Sequence, residues 1–348
     1  MRAAVLSNRG FNLEDRGQPT PATGEVLIRT VVCGICGSDL HRFHEATSHD
    51  GSSTDSRPLV LGHEFCGELI DYGPDTVRTI NPGKLVVSFP AIQTASGVEI
   101  VGFSERYPGG FAERMLLQAD LMVEVPNGLS ADLAALTEPM AVGEHAVARA
   151  TMSAGDVAMV VGCGPVGLAV IAALRSRGLG PIVGVDFSAE RRAIAEKLGA
   201  DLLIDPAEVS PYSCWPDFGI DPLAQIAMHA YAMKEAVRRS VIFECVGAPG
   251  LIADVVKGAP IGATIVVAGA CNAEDRFHPL SALVKEVELR FSNAYSLVEF
   301  ARTLHRIAEG DLDVAPLITK TVELDQVQDA FEALSHPSDA KILLRHRS

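Results

Sequence analysis

A thiol, an imidazole and carboxylates fall close together early in the chain, in Cys36-Gly-Ser-Asp-Leu-His41 and then Gly62-His63-Glu64. These are the donor types of a catalytic zinc site that leaves one coordination position open for substrate. Much further on stands Gly162-Cys-Gly164-Pro165-Val166-Gly167, inside an apolar stretch, with Asp186 at the end of the next one. That is the spacing of a dinucleotide-binding turn followed by its ribose-binding acid. Either pattern alone says little. Together they point to metal-assisted hydride transfer.

Cys36 follows a strand end and a glycine, a place from which a side chain can leave a sheet for a cleft. His63 and Glu64 are adjacent and would point to opposite sides of an extended segment, so a turn must bring either one onto a metal. Asp39 and His41 suit supporting and proton-carrying roles better than ligation. A rival reading takes Cys33-Gly-Ile-Cys36 as a redox pair or half of a four-cysteine site. The redox reading wants the first cysteine at a helix start, whereas Cys33 ends a strand. The four-cysteine reading wants a second close pair, and the sequence has none. Cys33 is expected to be a small buried apolar residue.

In the glycine-rich motif, Gly162 permits a tight turn, Gly164 lets backbone approach a pyrophosphate, and Gly167 lets the helix pack close to the strand. Pro165 and Val166 open that helix, whose first N–H groups face the phosphates. Asp186 is expected to accept hydrogen bonds from the adenosine ribose and to repel a 2′-phosphate, favouring NAD over NADP. Arg191 and Arg192 lie near enough to cut the other way, or to lie along the adenine or face solvent.

The elements that must position these residues follow from texture. Residues 25–33, 64–72 and 85–89 are rich in β-branched and apolar residues and are divided by Gly-Pro and Asn-Pro-Gly turns, so the first part is β-rich. Residues 45–57 read as a polar loop. From about residue 140 apolar strands alternate with helices: strands at 157–161, 182–185, 241–245 and 264–268, helices at 165–176 and 189–198. Such alternation means a parallel, doubly wound sheet, an α/β fold. Residues 206–222, with four prolines and the single tryptophan, are expected to be an irregular connection. A further amphipathic helix is expected at 297–309, another around 330–334, and a last strand at 342–344.

With 348 residues and a 48% hydrophobic fraction, the chain has ample material for two cores. Its net charge of −15 disfavours nucleic acid and anionic membranes as partners. The near-continuous apolar run at 157–174 is interrupted by the glycine motif, which marks strand, turn and helix and not a membrane span. Seven scattered cysteines and the lack of a signal-type start point to reduced thiols and a cytoplasmic protein.

At this point the chain resembles the zinc-dependent medium-chain alcohol and polyol dehydrogenases, in the branch of the sorbitol and threonine dehydrogenases. The resemblance is carried by GICGSDLH (34–41), LGHEFCGELIDYG (61–73), EPMAVGEHA (138–146), VVGCGPVGL (160–168) and the closing PLIT, AFEAL and KILL segments. It implies a GroES-like catalytic domain at 1–139, a Rossmann NAD-binding domain at 140–293, and a return to the catalytic domain at 294–348. It implies reversible oxidation of an alcohol, secondary or polyol, to a ketone or aldehyde. By similarity Cys36 and His63 are zinc ligands, Glu64 is a fixed or alternating ligand, and Glu138 stands where another branch has a cysteine; which glutamate completes the shell stays open. Ser38 and His41 would relay the proton, and Asp39 would orient His63. Many members bind a second, structural zinc through four clustered cysteines, but residues 81–115 contain none, so one zinc per chain is expected. A homodimer or homotetramer is implied by the family alone. The rivals are a zinc-free reductase of the same fold and a non-catalytic nucleotide-binding protein.

Overall fold

The computed structural model describes residues 1–48, 57–220, 238–335 and 339–347. The backbone divides into two compact units. One comprises Met1–Pro139, Leu297–Asp311 and Ile318–Ser348; the other comprises Met140–Ser296 and Leu312–Leu317.

In the second unit, short runs of Val, Ile and Ala without polar alternation form strands buried on both faces, as a parallel sheet covered by helices requires. Val157–Val161, Ile182–Val185, Ser240–Glu244 and Thr264–Val267 are buried along their whole lengths. Across the sheet the order is Leu202–Ile204, Ile182–Val185, Val157–Val161, Ser240–Glu244, Thr264–Val267, Glu288–Phe291. Every neighbouring pair is parallel. The first strand in sequence is thus central, with the chain winding away on both sides, and a ligand crevice belongs at its carboxyl end. Gly162 stands there.

The segment expected to be irregular at 206–222 differs from that expectation. Residues 221–237 lie outside the described residues, but Pro211–Phe218 is a 3-10 helix that seats Trp215 in the core. The indole Nε1 donates to the Gly258 carbonyl at 3.1 Å, so the polar edge of a fully buried ring is satisfied. The tryptophan is a packing residue.

The first unit is built on a sheet in the order Ile318–Glu323, Lys341–Arg345, Glu25–Gly34, Glu64–Tyr72, Leu85–Ser88, Met122–Glu124, with Arg114–Gln118 also paired to Glu25–Gly34. Glu25–Gly34 ends at a glycine and the chain turns at once into the helix Gly37–Thr47. Asp39, Phe43 and Ala46 form the buried face of that helix, at the spacing of successive turns. Phe43 stacks on Phe11 at 5.7 Å and packs against Phe331 at 5.2 Å, which fixes the helix over the sheet. The polar loop expected from residue 45 therefore starts later: Ala46 extends the apolar face, and the Thr47 hydroxyl donates to the Phe43 carbonyl at 2.8 Å. Residues 49–56 of that loop lie outside the described residues. Among the described residues no helix is long and apolar enough to cross a membrane.

Near the chain's end His346 is buried, with Nε2 at 2.8 Å from the Gly110 carbonyl, which makes Nε2 the protonated nitrogen of the neutral ring. Burial holds this imidazole below its ordinary 6.5, the carbonyl only partly opposing it. The unfolded chain therefore takes up the proton first as the pH falls, so stability present above the unfolded value is lost below it. As the pH falls from about 7.5 to about 5.5 the native protein should lose more stability than His346→Gln does in urea titrations. Equal losses in the two proteins would sink the assignment.

Candidate metal and nucleotide sites

The first site lies where Glu25–Gly34 passes into the helix Gly37–Thr47 and where the chain enters Glu64–Tyr72. Cys36 is the N-cap residue; its backbone N–H donates to Asp39 Oδ2 at 3.0 Å. The positive end of the helix dipole thus faces the thiol. Gly62 makes the turn before His63 with φ of +98°, and a side chain there would strike Phe111 and the Cys33 sulfur. His63 is held in that turn while Glu64 starts the strand. The structure so separates two neighbours that a straight segment would have sent to opposite faces.

Around His63 three side chains converge. Ser38 Oγ lies 3.5 Å from Nε2. Asp39 Oδ1 faces Nδ1 at 3.5 Å, longer than a good hydrogen bond, and neither of these buried atoms is bonded elsewhere. The Phe103 ring covers the imidazole at 5.5 Å. Burial works against a charge on His63, but the Asp39 carboxylate and then the Cys36 thiol outweigh it and hold the imidazole well above its ordinary range. Negative charge dominates this buried spot. Ser38 and His41 are exposed and three residues apart on one helix, hence neighbours on its surface. Cys33 is fully buried; burial first, then Asp39 and Glu64, push its thiol well up, which leaves an unreactive packing residue.

Glu64 lies in a buried ion pair. Both its oxygens accept from the Lys341 ammonium, at 2.7 and 2.6 Å, in a pair with almost no solvent exposure. Lys341 went unnoticed in the sequence because a lysine beside a short C-terminal strand ordinarily faces water. Burial would lower its pKa, but Glu64, then Cys36 and Glu138, raise it above 10.5. Glu138, half-buried at the start of the helix Thr137–Ala150, therefore belongs to the same charged neighbourhood. Removing one partner of such a buried pair costs about 3–5 kcal/mol.

The second site is the crevice after Val157–Val161. Gly162 has φ of +92°, and a Cβ at Gly167 would run into the Gly162 carbonyl, so the helix Pro165–Ser176 can rest on the turn only with glycine there. Above Gly164 the space is open, with Arg191 Nη1 the nearest atom, 3.9 Å from where a Cβ would sit. Pro165 and Val166 form the first turn of the helix. Asp186 is anchored by two backbone donors, Cys163 N–H and Ser188 N–H, both at 2.8 Å. A carboxylate has further lone pairs with which to accept from hydroxyls. Arg192 is turned away, donating to the Asp186 and Phe187 carbonyls and pairing with Asp205 at 3.0 Å. Sequence reasoning missed Glu244 and Val246. Glu244 Oε1 accepts from the N–H groups of Val246 and Gly247 at 2.7 Å, which holds Val246 against Gly162. A glutamate ending an otherwise apolar strand, just before a glycine, was the available signal.

Comparison with known proteins extends these observations. Residues 22–127 match the family model described as "Alcohol dehydrogenase GroES-like domain", and residues 165–309 match "Zinc-binding dehydrogenase". The chain is 31% identical to (R,R)-butanediol dehydrogenase of Bacillus subtilis (strain 168) over 362 aligned positions, covering 99% of both. The chain belongs to the zinc-dependent medium-chain alcohol and polyol dehydrogenases. It is also 30% identical to the sorbitol dehydrogenase of the same organism, over 95% of this chain and 93% of that one. The crystal structure of 2R,3R-butanediol dehydrogenase from Bacillus subtilis superposes with a TM-score of 0.80, covering 99% of each chain. A structure from Sinorhizobium meliloti 1021, bound to NADP, matches with a TM-score of 0.81 at 25% identity, covering 99% and 98%. The GroES-like and dinucleotide-binding folds are thereby shared along the whole length, and the chain is an oxidoreductase.

Membership of this family implies zinc, and the side chains of the first site suit it. A thiol, an imidazole and carboxylates are zinc's preferred donors. Asp39 Oδ1, unbonded behind His63, is placed to orient a ligating imidazole. Among the described residues no three such donors already meet at one point, and Glu64 is engaged by Lys341.

Proposed function

We propose that this chain oxidises a secondary alcohol, a vicinal diol or a sugar alcohol, reversibly, to the ketone or aldehyde, with NAD as hydride acceptor and one zinc per chain. The observation that carries the reading is the grouping of Cys36, Ser38 and the buried Asp39 around the buried His63, in a chain that matches diol and polyol dehydrogenases from end to end. When bound, zinc supplies Lewis acidity toward the alcohol oxygen and the nicotinamide supplies the hydride acceptor. The chain's own residues do the rest. Cys36, His63 and Glu138 would hold the metal, and Asp39 would fix the tautomer and tilt of His63. Ser38 Oγ, next to His63 Nε2, receives the alcohol proton, and His41, one turn along the exposed helix surface, passes it to solvent. Phe103, lying over His63, keeps water from that side.

Residues 1–139 and 294–348 carry this chemistry, and 140–293 hold the nucleotide. NAD is favoured because Asp186, pinned by two backbone donors, cannot swing away from a 2′-phosphate, while Arg192 is engaged elsewhere. The NADP-bound relative and the position of Arg191 favour the opposite choice, and the ratio of kcat/KM for the two cofactors decides it. A single zinc follows from the lack of cysteines at 81–115.

The decisive experiment follows nicotinamide reduction by purified protein with diols, polyols, amino alcohols and simple secondary alcohols, with NAD and NADP, with and without a chelator. Chelator-sensitive turnover of diols or polyols with NAD is the expected result. A zinc-loaded, NADH-binding protein silent on every diol and polyol would overturn the substrate class.

A cytoplasmic homo-oligomer completes the reading. All seven cysteines are free, as a reducing compartment allows. Among the described residues Glu288–Phe291 is an edge strand, and beside it Phe291, Leu280, Leu283 and Val284 are exposed. An apolar open edge invites strand pairing, which a second copy supplies with two-fold symmetry. Phe291→Asp should sediment as a smaller species than the native protein. A native protein that already sediments as a monomer would refute the oligomer.

A further inference from the structure

A pocket of about 360 Å³ lies within the first compact unit and is lined by none of the residues of the proposed reaction. Pro19, Pro58, Pro108 and the buried Val60 give it stiff apolar walls, and the side chains of Arg16 and Arg106 complete it. Apolar walls with a few placed polar groups suit a small organic ligand. Arg106 is the more available cation. Ser104 Oγ accepts from the Arg106 N–H at 3.1 Å and from the Tyr107 N–H at 3.3 Å, which fixes the backbone there. The guanidinium stands over the Tyr107 ring at 5.2 Å, and the hydroxyl of that buried tyrosine donates to Glu25 Oε1 at 2.9 Å. Arg106 Nη2 is 4.0 Å from the same oxygen, too far for a hydrogen bond. Arg16, by contrast, donates to Glu14 at 3.1 Å.

We infer that this pocket is an effector site for a small organic monocarboxylate. A guanidinium fork held in place by packing matches the two coplanar oxygens of a carboxylate, and the proline walls take the organic body. Glu105, which also lines the pocket, and Glu25 lie close to the fork, so a phosphate dianion is repelled more strongly than a single charge. The walls lead into the segments around His63. The Gly109 N–H donates to the Val60 carbonyl at 2.8 Å, the Phe111 N–H to Leu61 at 3.1 Å and the Gly110 N–H to Gly62 at 2.7 Å, so the stretch before His63 is zipped to the one after Pro108. The Gly102 N–H donates to the Tyr107 carbonyl at 3.0 Å, closing a loop in which Phe103, the ring over His63, directly precedes Ser104. A ligand seated between Val60 and Arg106 braces both segments and holds Phe103 over His63. The effect on turnover rests on the function proposed above, whereas binding of the carboxylate does not.

Fluorine NMR of 4-fluorobenzoate with the full-length protein tests binding, with and without a chelator. One probe per chain should bind with Kd of about a millimolar in both conditions. Arg106→Met should weaken binding about tenfold or more, with melting and NADH affinity unchanged, and Arg106→Lys should fall between. The neutral 4-fluorobenzamide and the dianionic 4-fluorophenyl phosphate should both bind more weakly than the carboxylate. In turnover the probe should lower the KM for alcohol about fivefold in the native protein and leave Arg106→Met unaffected. By reciprocity the alcohol then tightens the probe and does not displace it. No binding, or equal binding to Arg106→Met, overturns the site. Displacement of the probe by alcohol also overturns it, since the carboxylate then sits where substrate does. Binding that leaves the KM for alcohol unchanged or raises it overturns the effector role. A protein that binds the probe through Arg106 and turns over no alcohol overturns the function proposed above and leaves the carboxylate site standing.

Discussion

Cys36→Ala is expected to remove the metal and the turnover together while leaving the fold in place. Of the two hydrogen bonds that cap the helix beginning at Gly37, alanine keeps the one from the Cys36 backbone N–H to Asp39 and loses the one the thiol accepts from the Asp39 backbone N–H, which weakens the helix end without removing the helix. Phe43 and Ala46 still bury the helix against the sheet. What disappears is the only thiol of the proposed donor set, and zinc owes much of its affinity at such sites to thiolate. Zinc content should fall from about one per chain to near zero. Loss of several kcal/mol of Lewis-acid stabilisation corresponds to a fall in kcat/KM of about 10⁴-fold. NADH binding should persist, because Gly162–Gly167 and Asp186 lie in the other compact unit. Full zinc content in the variant, or turnover within about tenfold of native, would refute Cys36 as a ligand.

Gly167→Val is expected to do the converse: to abolish nucleotide binding and lower stability with the metal retained. A side chain at 167 meets the Gly162 carbonyl and lies 3.3 Å from Val160 Cγ1. The first obstacle is backbone at the turn itself and cannot rotate aside. The helix Pro165–Ser176 would have to lift off the central strand, at a cost of roughly 1–3 kcal/mol or more. Its N–H groups would leave the phosphates, so NADH affinity should fall by about a hundredfold or more. Gly164→Ala separates packing from ligand approach. No protein atom except Arg191 Nη1 lies within 4 Å of its Cβ, so melting should not change, yet the added methyl stands where a pyrophosphate comes closest. Native NADH affinity in both variants would show that the nucleotide does not bind here.

What the sequence disclosed, and what it hid, follows from the range of the forces. The spans Pro165–Ser176, Ile182–Val185, Glu64–Tyr72 and Leu297–Glu309 coincide with the expected ones because apolar periodicity and flanking Gly or Pro act within a few residues. The neighbourhood of Cys36, Asp39 and His63 was legible because one motif follows a glycine that ends a strand and the other opens at a glycine in the turn before one. The tryptophan's place was not: prolines around Trp215 signal a loop, and only the Gly258 carbonyl, 43 residues away, makes its burial tolerable. Helix residues 45–47 were hidden because Glu45 and Thr47 are polar and a single alanine carries no pattern. The fate of Glu64 was set by Lys341, 277 positions later, and by the vacancy over Gly34 between them. Pairings at that separation leave no mark on local pattern.

The sheet order has a consequence for how the protein comes into being. Lys341 is bonded to Ile35 across 306 residues, and the strand it belongs to lies directly beside Glu25–Gly34. At about 5–20 residues per second, a ribosome needs on the order of tens of seconds to deliver one after the other. During that interval the segment Met140–Ser296 is made, while Glu25–Gly34 lacks its neighbour on the Cys33 side. The sheet that carries Cys33 is thus completed late in biosynthesis, and oxidants met by the nascent chain can act on that thiol before the last strand, paired to it at Leu344, covers it.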